Sequence, residues 1–519
     1  MTDVDSRVSC DLLLTGGRVI DPESGRDGVS AVGISDGKIV HIGDPDVTAT
    51  ETIDVSGLVV APGFIDMHSH AQSVSGLRLQ ALDGVTTSLE LESGAVPVKD
   101  YYAWAESEGR PINFGYSAGW VLSRMHVLDC APVIRPQNDE HYRIPINMFE
   151  RNQDGPRWRG PADDREVHQI LDFVHAEVEQ GAIGIGVLAG YAPTSGIDEF
   201  NALAALAAQV NQPLFVHARS MAAIEPNSAL DAVNEIIAAS EANQAPIHLC
   251  HMNSTSGQFT REITKTFLDA QRRGTRLTTE AYPFSAGSTV IGAAFLAPDQ
   301  LHRNHLEPKS LTYLATGERV ADKDRLTEIR ATDPGGLCVI EFFDESDPEQ
   351  LDLLMLALTF PEAAIASDAM PMTFFGSESQ RAEGEKALRD HTWPLPESLI
   401  AHPRSSGCFA KALSWLVREQ GALDLVEAIR RCTLLPASIL AEAAPAMRSK
   451  GRLQVGADAD VTVFDPDTVA PQGDYLSLRP SVGFKHVVVG GVPVVSNGNL
   501  QVGVLPGEAI RGSAVKHTR

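Results

Sequence analysis

Five residues of this chain, His68, His70, His217, His251 and Asp368, each close a short apolar run. His68 and His70 stand two apart in GFIDMHSH. In an extended strand, residues i and i+2 point to the same side, so these two imidazoles face one point. His217 ends the run PLFV, His251 ends PIHLC, and Asp368 ends AAIAS. A single HxH pair carries little weight, because surface and core histidines are frequent. Its recurrence at several strand ends carries much more. Imidazole is the commonest protein ligand for zinc and similar ions. Four imidazoles and one carboxylate gathered at one mouth are the groups that metal-assisted hydrolysis needs. His248 precedes His251 by three positions and so points away from that side; it reads as a hydrogen-bonded core residue.

Positioning these residues requires strands whose ends converge. From about 62 to 446, short apolar runs alternate with helical stretches. VTTSLELE, GAIGIGVLAG, PLFVHARS, PIHLCHMNS and RLTTEAYP read as strands. VKDYYAWAESEG, ADDREVHQILDFVHAEVEQG, IDEFNALAALAAQVNQ, NSALDAVNEIIAASEANQ and REITKTFLDAQRRG read as helices. Strand–helix alternation at this spacing predicts an α/β fold with a parallel sheet, and its length fits an eight-fold (β/α)8 TIM barrel. Such barrels build their sites at the C-terminal ends of the strands. Residues 11 to 60 alternate apolar and polar positions between Gly, Asp and Pro, as do GRLQVGADADVTVFDP and FKHVVVGGVPVVSNG near the end. The expected organisation is a β-sandwich formed by both termini, 1–61 plus 447–519, flanking a barrel at 62–446. The charged, proline-bearing segment 369–401 reads as a loop over one barrel face.

Composition narrows the partners. The 519 residues include 42 basic and 68 acidic side chains, a net charge of −26. Phosphate contacts need clustered Lys and Arg, so neither nucleic acid nor an anionic membrane is an expected partner. The acidity reads as solubility and self-repulsion. A small-molecule substrate is the expected partner, and a homo-oligomer stays open. The six cysteines are scattered without CxxC spacing, which suits reduced thiols in the cytoplasm. MTDVDSRVSC lacks the basic and apolar regions of a signal peptide, and no apolar run reaches the length of a membrane span.

Longer motifs add a resemblance. GFIDMHSH, HAR, HMN, the late SD and GADADVTVFDP together resemble the amidohydrolase superfamily. GAIGIGVLAGYAP, EAYPFSAGST, HPRSSGCF and EAIRRCTLLPA are similar to motifs of the N-acyl-D-amino-acid deacylases, or D-aminoacylases. The resemblance runs from about residue 11 to 466, and YPFSAGST and HPR are its specific blocks. It implies a barrel with a flanking β-sandwich and one or two divalent metals, with zinc expected. Carried over residue by residue, it makes His68 and His70 ligands of one metal position and His217 and His251 ligands of the other. Asp368 becomes the general acid/base. Arg404, Tyr282 and Ser288 become the holders of a substrate carboxylate, a role that suits a guanidinium and a pair of hydroxyls.

The chain departs from that pattern in two places. Where the deacylases have a cysteine ligand after the second strand, this chain reads GVTTSLELESG, with Ser93 at the cysteine's place. No lysine ends GAIGIGVLAG, so the carbamylated lysine of the related hydantoinases is missing too. Glu92 is therefore the candidate bridging ligand, with Glu90 as the fallback. Carboxylate oxygens bind zinc at about 2.0–2.2 Å, and the harder donor leaves Mn and Fe open. Gly119-Trp120 also stands where the family often has Gly-His, which predicts an altered pocket lining.

The function these readings imply is a metal-dependent amide hydrolase acting on a non-peptide C–N bond. In it, activated water attacks the amide and Asp368 shuttles the proton to the leaving amine. Two rivals stand beside it: a cyclic-amide hydrolase or ring aminohydrolase of the same superfamily, and a non-catalytic binding scaffold.

Overall fold

The computed structural model describes residues 9–136 and 147–513. Eight parallel strands form its centre: β1 (Phe64–Asp66), β2 (Val85–Ala95), β3 (Asn113–Gly119), β4 (Ile185–Leu188), β5 (Leu214–His217), β6 (Ile247–Leu249), β7 (Leu277–Ala281) and β8 (Ala363–Ile365). They hydrogen-bond side by side in chain order. The ring is nearly closed, because Ser69 after β1 pairs in parallel with Ala369 after β8, and the His70 N–H donates to the Ala369 carbonyl at 2.7 Å.

These strands are buried on nearly every residue of both faces, as parallel strands covered on both sides must be. Inside the ring, Ile65, Met67, Leu89, Leu91, Ile183, Phe215 and Ala364 pack into a core, so the barrel is filled rather than hollow. Outside it lie the helices that the sequence pattern predicts: Val98–Glu108, Asp164–Glu179, Ile197–Val210, Ala229–Asn243 and Thr260–Arg272. Their apolar residues, among them Val174, Leu203, Val233 and Phe267, cover the outer faces of the strands. Capping boxes, Asp163 with Glu166 and Ser228 with Asp231, start two of them.

Strands from both termini share one seven-stranded sheet. Within it, Val59–Pro62 runs antiparallel to Val461–Phe464, with Arg18–Asp21 on one side and Phe484–Val489 on the other. A four-stranded sheet of Ser9–Thr15, Ala31–Ser35, Lys38–Gly43 and Thr48–Asp54 stands against it. Leu12, Val32, Ile34, Val60, Val461 and Val463 fill the space between the two. The last described residues leave these sheets for the barrel: the Ile510 N–H donates to the Phe114 carbonyl at 2.7 Å, and the Tyr102 hydroxyl to the Ile510 carbonyl at 2.6 Å.

Two segments near the barrel mouth need separate description. Between β7 and β8 sits an antiparallel sheet of Ala286–Val290, Leu311–Tyr313, Glu318–Arg319 and Leu337–Glu341. Segment 369–401, expected as a loop, instead holds the helix Glu378–Arg389 and a small ladder between Thr373–Phe374 and Leu399–Ile400. The Ser377–Gln380 capping box starts that helix, and Phe374, Leu388 and Leu399 give it an apolar seat. Its many charges mask this periodicity in the sequence.

Candidate active site

All five strand-end residues meet at one mouth. His68 and His70 follow β1, His217 ends β5, His251 follows β6 and Asp368 follows β8. His251 and Asp368 sit at φ values of 35° and 48°, a region that non-glycine residues enter at a cost and that clusters at functional sites. The side chains of His68, His217 and His251 are buried, and Asp368 is nearly so.

Glu92, at the end of β2, lies between the two histidine pairs. Its Oε1 is 3.1 Å from His217 Nδ1 and 2.8 Å from His251 Nε2. Its Oε2 is 3.2 Å from His68 Nε2 and 3.5 Å from His70 Nε2. Glu90 faces elsewhere, accepting from His70 Nδ1 at 2.6 Å. Of the two acids the sequence left open, Glu92 is thus the one whose oxygens reach both histidine pairs. Ser93, in the place of the family cysteine, spends its backbone N–H on Glu90 Oε1 at 3.1 Å.

The donor set fits a metal. Around a tetrahedral zinc with bonds of about 2.0–2.1 Å, ligand atoms stand about 3.3–3.4 Å apart. His68 Nε2 and His70 Nε2 are 3.3 Å apart, and each lies 3.5 Å from Asp368 Oδ1. With Glu92 Oε2 they outline one such cage. His217 Nδ1, His251 Nε2 and Glu92 Oε1 outline a smaller triangle with sides of 2.8–3.1 Å. Both triads, His68/His70/Glu92 and Glu92/His217/His251, are buried groups able to hold an ion.

Electrostatics point the same way. Burial opposes the charged His68 ring, but Glu92, Glu280 and Asp368 around it hold its pKa well above the usual range. His70 is raised in the same way, burial being outweighed chiefly by Glu90. Burial likewise opposes the Glu92 carboxylate, yet His68, His251 and His217 hold it well below the usual carboxylate range. Carboxylates packed this densely out of water demand cations, which a divalent ion supplies.

Sequence reasoning missed the groups behind the imidazoles. Glu280, near the end of β7, bonds His68 Nδ1, and its other oxygen lies 3.2 Å from His248 Nε2. His248 Nδ1 bonds Thr278 Oγ1 at 2.8 Å, so the expected core histidine also supports the site indirectly. The signal was present in the EAYP block, two residues ahead of Tyr282.

The other wall holds Arg404, fully buried at the start of the helix Arg404–Lys411. Its Nη2 donates to Asp368 Oδ2 at 2.9 Å and to the Ser288 carbonyl at 3.1 Å. Its plane lies over the Tyr282 ring, 4.6 Å from the centroid. Nε and Nη1 of Arg404 and the Ser288 hydroxyl are buried without a hydrogen-bond partner in the protein. Buried donors left open like this mark a place for a ligand. His402 Nδ1 accepts the Arg404 backbone N–H at 3.1 Å and so steadies the turn. Burial pushes the Tyr282 phenol up to about 12, so it stays a hydrogen-bond donor.

Arg404, Tyr282, Ser288, Asp368, Glu92, His70, His217 and His251 line one cavity, closed on its remaining sides by apolar residues including Leu122, Leu188, Met221, Phe295, Ile340 and Phe342. Trp120 is a correction to the sequence reading, because it is absent from this lining. Its ring lies in the helix-facing core, with Nε1 donating to Glu199 at 2.8 Å beneath the Arg124 guanidinium.

No family model matches the chain. The chain is 25% identical over 511 residues to an N-acyl-D-glutamate deacylase of Alcaligenes xylosoxydans xylosoxydans, covering 93% of each protein. It is 26% identical over 509 residues to a D-aminoacylase of the same organism, covering 93% of this chain and 94% of the relative. Its fold matches the crystal structure of an N-acyl-D-glutamate deacylase from Bordetella bronchiseptica, complexed with zinc and a phosphonate inhibitor, at a TM-score of 0.72 and 23% identity, over 97% of this chain and 100% of that one. Along its full length the chain is thus similar to metal-dependent hydrolases of the amidohydrolase superfamily. Within it, the resemblance is to the N-acyl-D-amino-acid deacylases and D-aminoacylases.

Proposed function

We propose that this enzyme deacylates an N-acyl amino acid in the manner of a D-aminoacylase, using His68, His70, Glu92, His217 and His251 to hold zinc, as one ion or two. The observation that carries this reading is the buried Arg404, with two open donors, set beside the His/Glu/Asp cluster. A divalent ion in such a cluster supplies Lewis acidity, making water a nucleophile near neutral pH and polarising a carbonyl.

The chain's own groups do the rest. Arg404, with the Tyr282 and Ser288 hydroxyls, binds the substrate carboxylate and so sets the position of the amide bond. Asp368 stands between the imidazoles and the guanidinium. There it takes a proton from the attacking water and returns it to the leaving amine, which cannot depart as an anion. Burial opposes ionisation of Asp368, but Arg404 and His68 outweigh it and keep the carboxylate ionised, as a base must be. The apolar residues of the cavity receive the acyl chain or the amino-acid side chain. Arg404 is the sole basic side chain other than histidine among the described lining residues, which favours an apolar rather than an acidic amino acid. The carboxylate of Glu92 hardens the donor set relative to a thiolate, which keeps manganese and iron as rivals to zinc.

A ring substrate such as a hydantoin or a dihydropyrimidine brings no free carboxylate to Arg404. A panel of N-acyl-D- and N-acyl-L-amino acids, set against hydantoins and dihydropyrimidines, tests the proposal. Turnover confined to N-acyl amino acids supports it, and turnover confined to cyclic amides refutes it.

A further inference from the structure

Two strands of the seven-stranded sheet, Val461–Phe464 and Phe484–Val489, are joined by a loop that reaches the barrel mouth. An antiparallel bridge between Ala470 and Val482 closes its neck. Its tip is a tight turn, in which the Asp474 N–H donates to the Ser477 carbonyl at 3.0 Å and the Ser477 N–H to the Asp474 carbonyl at 3.4 Å. The neck lies on the first turn of the helix Arg404–Lys411. There the Ser481 hydroxyl donates to the Ser406 carbonyl at 2.9 Å, and a Cβ on Gly407 would stand 2.7 Å from Pro471 Cβ. The tip sets the Tyr475 ring edge-on against the fully buried His402 ring, with centroids 5.1 Å apart and planes at 66°. Phe284 packs edge-on against the same imidazole, at 5.4 Å and 79°. Beside Tyr475, Leu478 anchors the tip among Phe374, Leu388 and Leu399.

His402 is the link from this loop to Arg404, because its Nδ1 accepts the Arg404 backbone N–H at 3.1 Å. Burial and the nearby Arg404 and Lys411 charges hold the His402 pKa well below its ordinary value, so the ring is neutral and able to accept. The Arg404 guanidinium hydrogen-bonds the described residues through Nη2 alone. Where its two unpartnered nitrogens sit therefore depends on where the backbone at 404 is held. A group that binds a substrate carboxylate must stay within about 0.5 Å of its productive place. One ring-to-backbone hydrogen bond secures that only while the ring cannot turn, and the edge-on aromatic contacts stop it from turning.

We infer that Tyr475 is a positioning residue for carboxylate recognition: it holds the His402 ring from the terminal sheet and, through that ring, the backbone of Arg404. This rests on reading Arg404 as the holder of the substrate carboxylate. Tyr475 is not among the residues lining the cavity, so it acts through His402 and not on the substrate. The role belongs to its ring and not to its hydroxyl.

The test assays the full-length, zinc-loaded chain on an N-acyl amino acid and on the matching carboxamide. Tyr475→Leu should lower kcat/KM on the acid about 3- to 10-fold, the worth of one edge-on ring contact, and leave the carboxamide unchanged. Tyr475→Phe keeps the ring and should restore wild-type values on both. Zinc content should be equal in all three proteins. Tyr475→Met, which fills the same space without a ring, replaces the leucine variant if that one does not fold. A crystal structure of the ring-less variant should show the His402 ring turned away from the Arg404 N–H. An unchanged acid-to-carboxamide ratio, an equal loss on both substrates, a phenylalanine variant no better than leucine, or a His402 ring still bonded as in wild type would each overturn the inference. A wild type that does not prefer the acid to its carboxamide would instead overturn the reading of Arg404, and this inference with it.

Discussion

Replacing Arg404, read on paired charged and neutral substrates, tests carboxylate recognition. Its guanidinium is fully buried, and two of its donors have no hydrogen-bond partner in the protein. Truncating one partner of a buried, hydrogen-bonded charge pair costs about 2–5 kcal/mol, mostly because the other charge is left unpaired. At 1.36 kcal/mol per tenfold, Arg404→Ala should lower kcat/KM by roughly 30- to 5,000-fold. Arg404 also touches Asp368, so the raw loss mixes two effects. A two-by-two comparison separates them: wild type and variant, each with an N-acyl amino acid and with its carboxamide. Wild type should lose most of its advantage on the neutral carboxamide. The variant should barely distinguish the two substrates, and the loss through Asp368 cancels between them. The pH profile supplies the second readout. Arg404 helps keep the Asp368 pKa low, so its removal raises that pKa and moves the acid limb of kcat/KM to higher pH. If the variant discriminates carboxylate from carboxamide as sharply as wild type, Arg404 does not bind the carboxylate.

Three further outcomes follow from the same geometry. Asp368→Asn should retain bound metal yet lose about 10²- to 10⁴-fold in kcat, the range for a lost general acid/base; near-wild-type turnover removes Asp368 from that role. Gly287→Ala should raise KM at least about tenfold on cavity-filling grounds and lower the melting temperature, because overpacking costs about 1–3 kcal/mol. A Cβ there would stand 2.7 Å from the Phe342 ring and 2.9 Å from the Tyr282 hydroxyl, in the proposed carboxylate pocket, and an unaltered KM argues against this wall. Asp83 is not among the residues lining the cavity and carries a pH dependence of stability. Burial raises its pKa from 3.8 to about 7, against hydrogen bonds from the Ser481 hydroxyl and the Phe409 and Ala410 N–H groups. Between about pH 4 and 7 the folded chain therefore holds a proton that the unfolded chain has lost. Stability from this group is greatest at the acid end and falls as pH rises through that window. Asp83→Asn should flatten that fall, which thermal denaturation between pH 5 and 8 reads directly; an identical slope in the variant assigns the dependence to other groups.

The convergence of His68, His70, His217 and His251 was legible because it depends on two local rules. Side chains two apart in a strand share a face, and parallel strands in a barrel end at the same mouth. Glu92 was legible as a candidate for the same reason, but its choice over Glu90 was not. That choice depends on which acid reaches across to β5 and β6, and spacing along β2 does not contain it. The pairing of Glu280 with His68 spans 212 positions and exists only once the ring has closed. Trp120 was misread because it sits one residue past β3, where the chain turns from strand into helix and its ring swings out to Glu199. The sheet at 286–341 and the helix at 378–389 escaped notice because their elements are short or heavily charged, so neither period stands out.

The most direct test of the account is an anomalous-scattering map of metal-saturated crystals, paired with metal analysis of the protein. The account predicts peaks on either side of the Glu92 carboxylate, one against His68 and His70 and one against His217 and His251, and a fall in bound metal for Glu92→Ala. Peaks that never touch Glu92, or full metal content in the alanine variant, would contradict it.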